Sequence, residues 1–438
     1  MTRSFRSASF ILPALLAGLF LSSCDDSTVD PGPNSDTLAV PATYTFESRF
    51  QAGTSSVAYE GQIVRNLLIQ DLKTAIDNLG KPGAVATTEA ALLKLYDHSD
   101  ADNLVTLTTA GSKPVLEGQY NKISTGKKLT DKISTAVVGN TGKTADQLVR
   151  EWIQIIATNS QNPARLGTAL VYTDDAGRNL SQMIQKLLHG AVAYYQGTGV
   201  YLQGLLTQDN TVAKPKTGGV DPFTAMEHSW DEAFGYYGAA RDYARYTDAQ
   251  LAGGAADYTF DTNGDGKIDL KTEYNYTFAR NAGKRDAAAG TDLTKATFDA
   301  FLSGRTAITN KGTTEAITAH RTVALNNWEK NIAATVVHYI NEVQTAMAGL
   351  TESSTPLNTP ALGNVWGEMK GFSMGLQYNP FKLISDAQLT QLHTALGDAP
   401  VFAVPSHADH TAYIAKLDQA KAILKAAYNF TDAQMASF

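Results

Sequence analysis

Between Pro222 and Tyr246 the sequence offers apolar side chains on almost every side of a helix, and this stretch restricts the fold more than any other. At about 100° per residue, Met226, Trp230, Ala233, Phe234, Tyr237 and Ala244 form one apolar face, with Gly235, Tyr236, Ala239 and Tyr243 on the opposite side. Only a narrow strip with Glu227, Asp231, Asp242 and Arg245 reads as solvated. A helix apolar nearly all round belongs in the middle of a bundle. Asp221-Pro222 reads as its cap and first turn.

The same period recurs along the chain. An apolar-periodic stretch opens at Glu60-Gly61-Gln62 and is stopped by Gly80 and Pro82. Thr144-x-x-Gln147, Ser385-x-x-Gln388 and Thr431-x-x-Gln434 have the form of capping boxes, predicting helices over 146–158, 386–397 and 431–437. A long helix is expected over 314–349, with Leu325, Trp328, Ile332, Val336, Tyr339 and Val343 in one core-facing stripe. Alternation of the strand type is confined to Ala42–Glu47. Trp230-x-Glu232-x-x-Gly235-Tyr236 reappears as Trp366-x-Glu368-x-x-Gly371-Phe372, with Asn364 where the first copy has His228. The glycine in each copy predicts a close neighbour. The fold class is therefore mainly α: a helical bundle of two pseudo-repeated half-bundles, about 42–250 and 275–438.

The first 24 residues read as a signal rather than as part of that fold. Arg3 and Arg6 precede an apolar run from Phe10 to Leu21 and then Leu21-Ser22-Ser23-Cys24, the layout of a bacterial lipoprotein signal. Cleavage before Cys24 would leave it as the lipidation site and the membrane anchor. The run is about a dozen residues long, too short for a spanning helix, which takes ~20. Because Cys24 is the single cysteine, disulfide scaffolds and thiolate metal cages are excluded. Residues 25–41, rich in Asp, Ser, Pro and Thr, read as a flexible tether, and 42–438 as the helical domain. Asp25-Asp26 behind the lipid predicts the cell envelope, at the outer membrane and surface-exposed. The net charge of -7 argues against nucleic acid as a partner.

Two sets of residues carry chemistry. His228 and Glu232 stand four apart on the second face of the 222–246 helix, so their side chains meet. Glu329 lies at the edge of the long helix's core stripe, and a buried carboxylate needs a partner, a metal or a raised pKa. With Glu368 these form a candidate core site for iron or zinc of the kind built inside helical bundles. The alternatives are a His–Glu hydrogen bond in the core, and acids that pair with cations such as Arg241 and Lys370. The second set is Asp261, Asn263, Asp265, Lys267 through its carbonyl, and Asp269, which follow the spacing of a calcium loop with Gly266 at its sixth position. The twelfth residue, where a bidentate acid is expected, is Thr272, and Glu273 follows it. This reads as a structural calcium loop inserted between helices.

No phosphate loop, dinucleotide fingerprint, His-Glu-x-x-His or Gly-x-Ser-x-Gly is present. Tyr44-Thr-Phe-Glu47, Glu60-Gly-Gln62, His228–Tyr236, the calcium-type loop, Arg285-Asp286 and Trp366–Phe372 with Gly375-Leu-Gln377 together resemble the bacterial lipoprotein family called domain of unknown function 4856. The resemblance covers nearly all of the chain after the signal and implies no activity. More distantly, the chain resembles imelysin-like proteins, which implies a periplasmic or surface protein associated with iron uptake or a metallopeptidase. The motif of that class is His-x-x-Glu, whereas Asp231 stands three residues after His228 and Glu232 one beyond. The expected functions are a lipid-anchored binding protein working with metal-uptake partners, a metal-dependent hydrolase on the same cluster, or a structural surface lipoprotein.

Overall fold

The fold is seen in a computed structural model that describes residues 37–438. The signal, Cys24 and most of the tether lie outside the described residues. The chain is tied down from Leu38, slightly before the expected tether end. The Leu38 amide donates to Asn310 Oδ1 at 2.9 Å, and Asn310 Nδ2 returns a bond to the Leu38 carbonyl at 2.9 Å.

The described residues are mainly helical. In chain order the helices are α1 (Glu60–Asn78), α2 (Glu89–Tyr96), α3 (Tyr120–Ile123), α4 (Ala145–Ser160), α5 (Leu180–Leu188), α6 (Ala225–Tyr237) and α7 (Asp248–Ala252). They continue as α8 (Thr277–Ala289), α9 (Leu293–Thr309), α10 (Thr314–Ala348), α11 (Pro360–Gly375), α12 (Asp386–Leu396), α13 (Ala408–Tyr428) and α14 (Asp432–Ser437). A π-helical segment, His189–Leu202, follows α5 directly. Short 3-10 turns link several of these, and there are two short antiparallel ribbons: β1 (Thr109–Ala110) with β2 (Lys113–Pro114), and β3 (Pro215–Lys216) with β4 (Gly219–Val220). In the 42–47 stretch Tyr44 and Phe46 are buried while Thr45 and Glu47 are exposed, as the alternation requires, yet Glu47 makes a single bridge to Ser55.

All three capping boxes form, at Thr144, Ser385 and Thr431, each satisfying two N–H groups that the helix leaves open. Two more, at Thr224 and Thr247, start α6 and α7. The helix expected over 222–246 is thereby shortened at both ends. Thr224 rather than Asp221 caps it, with Glu227 reaching back to the Thr224 amide at 2.8 Å. Gly238 stops it at φ 79°, a left-handed conformation that glycine adopts at little cost. The strip expected to be solvated is also corrected. Glu227, Asp231 and Asp242 are buried, and Arg245 alone reaches solvent.

The core is aromatic at its centre. The Trp328 ring on α10 lies 5.3 Å from Tyr237 of α6, 5.3 Å from Phe278 of α8 and 5.5 Å from Tyr194 of the π segment. Burying a large apolar side chain of this kind contributes about 1.5–3 kcal/mol, and this contact joins four elements far apart in sequence. Helix α10 packs on α9, α11, α8 and α13, while α11 packs on α5 and α6 on the π segment, α9 and α1. The two copies of the repeated motif therefore sit on successive parts of one chain segment, α5 and its π continuation. Trp230 and Trp366 are fully buried, donating to the Phe301 carbonyl at 2.9 Å and to the Tyr413 hydroxyl at 2.8 Å. A Cβ at Gly235 would come within 2.6 Å of the Tyr59 side chain, and one at Gly371 within 2.6 Å of Lys186, so both glycines admit a close neighbour. Residues Leu38–Phe438 form one compact unit.

Candidate functional site

The calcium-type loop lies between α7 and α8. Gly264 at φ 75° and Gly266 at φ 82° adopt the left-handed backbone that curls it. Asp261 accepts from the amides of Gly264, Asp265 and Gly266 at 2.8, 3.1 and 2.9 Å. Asn263 accepts from Asp265 at 2.8 Å, and Asp265 from Lys267 at 2.8 Å. Ile268 is buried and docks the loop on the end of β2 and the residues that follow it, donating to the Pro114 carbonyl at 2.9 Å and accepting from the Leu116 amide at 2.8 Å.

The unusual closure of this loop has a structural expression. The Thr272 carbonyl turns to the Arg241 amide at 2.8 Å, while Glu273 folds under the loop and is buried. Glu273 accepts from Thr262, Asn263 and Asp269 amides at 2.8, 3.2 and 2.9 Å. Lys113, beside the loop, places Nζ 2.7 Å from Asp261 Oδ2 and lowers that carboxyl below its ordinary range. Of the loop's carboxylates, Asp261 is the one in contact with this ammonium. Among the described residues, no group of three or more His, Cys, Asp and Glu side chains is drawn together closely enough to hold a metal.

The other four candidates fall in three separate places. His228 and Glu232 do meet, with Nε2 3.7 Å from Oε1. The His228 ring stacks on Phe223 at 4.6 Å, and burial holds its pKa below the usual histidine range against the attraction of Glu232. Gln62 of α1 donates to Glu232 at 2.8 Å. This pair opens on a cleft of about 240 Å³ at the start of α1, where Arg65, Lys127 and Lys132 also converge. Burial lowers the pKa of Lys132, and repulsion from Arg65 and Lys127 adds to it.

Glu329 is elsewhere and fully buried. Its carboxylate accepts from Asn379 Nδ2 at 2.8 Å, the Leu383 and Ile384 amides at 2.8 and 3.2 Å, and the Tyr428 hydroxyl at 3.0 Å. These four donors take the place of a metal or a cation, and burial raises its pKa. Glu368 accepts from Asn364 at 3.3 Å and lies 3.5 Å from Lys186 Nζ, whose pKa burial brings down to about 8. Lys370 turns instead to the Gly397 carbonyl and Asp398. The four residues expected as one core site are therefore a cleft pair, a hydrogen-bonded loop anchor and an ion-pair partner.

The dominant buried charge group was not anticipated. Arg305 of α9 is fully buried and donates to Asp231 at 2.9 Å, Glu227 at 3.0 Å and Ser56 at 2.8 Å. Tyr44 donates to Asp231 at 2.7 Å, and Arg49 to Glu227 at 3.1 Å. A signal existed: Phe298, Phe301, Leu302, Arg305 and Ile308 share one helical face, so Arg305 interrupts an apolar stripe.

Taken together, these features define a helical-bundle protein with a polar cleft and an acidic loop at its surface. The chain belongs to the family described as Domain of unknown function (DUF4856), whose model matches residues 41–378. No curated protein and no solved structure matches it.

Proposed function

We propose that this chain is a lipid-anchored binding protein of the bacterial cell envelope, held at the outer membrane and surface-exposed through Cys24, with a fold braced by calcium. The observation that carries the calcium reading is the curled loop from Asp261 to Glu273. Its side chains follow calcium-ligand spacing, while Gly264 and Gly266 take the left-handed backbone of its turn. A carboxylate has about four acceptor sites, and Asp265 uses one of its own on the Lys267 amide. Calcium tolerates varied oxygen geometry, so Glu273 can close the shell one position late.

For the binding role, the support is the cleft at His228 and Glu232. An iron or zinc site there would have two ligands facing Arg65, Lys127 and Lys132, an unfavourable setting for a bare cation. A metal-dependent hydrolase would need a third ligand that neither Glu329 nor Glu368 supplies from its place in the fold. Elemental analysis of protein purified without chelator tests the metal reading. One calcium per chain, lost in Asp261→Ala, supports it; iron or zinc lost in His228→Ala with Glu232→Ala would restore the core-site reading. Release of a Cys24→Ser variant from membranes tests the anchor.

A further inference from the structure

We propose that the cleft at the start of α1 is a binding site for a small oxyanion, a molecule bearing a carboxylate or phosphate group. The proposal deepens the binding role and does not depend on the calcium loop. Three cations from two segments converge here: Arg65 from α1, and Lys127 and Lys132 from the chain that follows α3. Arg65 is 4% exposed, held by bonds from Nε to the Lys128 carbonyl at 3.0 Å and from Nη1 to the Gly61 carbonyl at 3.2 Å. Lys132 donates to the Tyr201 hydroxyl at 3.2 Å. Among the described residues none of the three is joined to a carboxylate in an ion pair. The cleft's acids are Glu60 and Glu232, and Glu232 is engaged by Gln62 and His228. A buried guanidinium without a counter-ion is costly unless an anion joins it.

The helix adds to this field. Residues of the first turn, Glu60, Gly61 and Gln62, line the cleft, and Tyr59 offers the helix no side-chain cap. The N-terminus of a helix carries roughly half a positive charge and presents open N–H groups. Gly61 has a specific part in the geometry: a Cβ there would lie 2.8 Å from Lys127 Cε, so its absence lets Lys127 lie over the helix end. A volume of about 240 Å³ holds roughly eight waters at liquid density, room for a compact anion. Glu232 and His228 on the facing helix give such a ligand an acceptor and an imidazole for a hydroxyl or amine.

Isothermal titration of the full mature chain with sodium phosphate, and separately with sodium succinate, tests the site. Ionic strength is held constant with sodium chloride, and each titration is run with and without calcium so that the loop and the cleft are read independently. Saturable heat from phosphate, succinate or both is expected, with the stronger arm identifying the source. Lys127→Gln with Lys132→Gln should weaken it by at least about tenfold, with an unchanged circular dichroism spectrum. Gly61→Ala, which pushes Lys127 aside, should weaken it less. No saturable heat from either anion overturns the proposal, as does unchanged affinity in the double variant.

Discussion

Arg305 Nε lies 2.9 Å from Asp231 Oδ1, with both side chains sealed from solvent. Because burial opposes the carboxylate's charge, the Asp231 pKa rises to about 6 despite Arg305, while Arg305 and the Thr224 amide hold Glu227 below its ordinary range. The network joins the 44–56 segment, α6 and α9. Removing one partner of a buried pair costs about 3–5 kcal/mol because the other is stranded. Asp231→Ala should lower unfolding free energy by that amount in urea denaturation. Asp231→Leu combined with Arg305→Met should cost clearly less than the two single changes added together; costs that simply add would show that the charges are not coupled.

Glu329 should behave as an anchor and not as a ligand. Glu329→Ala leaves the Leu383 and Ile384 amides and the Tyr428 hydroxyl without their acceptor. Each stranded buried donor costs about 1–3 kcal/mol. Glu329→Gln, which keeps a carbonyl oxygen in place, should be markedly less damaging in the same denaturation experiment. Neither change should alter metal content.

Acid should destabilise the protein through His189 and His393. Both are buried, and burial depresses each pKa to about 3, below the unfolded value of about 6.5. Between those values the unfolded chain binds more protons than the folded one, so stability falls as pH falls. Each histidine contributes a slope of up to about 1.4 kcal/mol per pH unit. Unfolding free energy measured from pH 6.5 down to 4 should decline, and His189→Gln should flatten the curve. A profile unchanged by that substitution would show that His189 does not drive it.

Lys113 occupies a place beside Asp261 that a calcium ion would contest. With the Lys113 end of the pair in solvent, the contact is worth about 0–1 kcal/mol, so Lys113→Gln should tighten calcium binding by up to about fivefold. Calcium calorimetry on the variant checks this. Weaker binding would mean that the ammonium helps to shape the loop.

Much of the architecture can be read from the residues because local rules decided it. The boxes at Thr144, Ser385 and Thr431 start helices where their hydrogen bonds require, and the stripe from Leu325 to Val343 places α10 against the core. What escaped was tertiary. The strip of Glu227 and Asp231 reads as solvated on one helix and becomes interior once Arg305 arrives from another, which no period within α6 reveals. The same limit divided the expected core site. His228 and Glu232 are neighbours by helical spacing and do meet, whereas Glu329 and Glu368 depended on how helices far apart in sequence pack.

The proposed calcium brace is tested most directly by thermal unfolding of the chain from residue 25 onward in calcium and in EGTA. Ligand that binds only the folded state raises its stability by RT ln(1 + [L]/Kd), and extracellular calcium sites have Kd near 10⁻⁴–10⁻³ M. The midpoint should climb with millimolar calcium, stay level with magnesium, and lose the calcium response in Asp261→Ala. Identical midpoints in millimolar calcium and in EGTA would contradict the account.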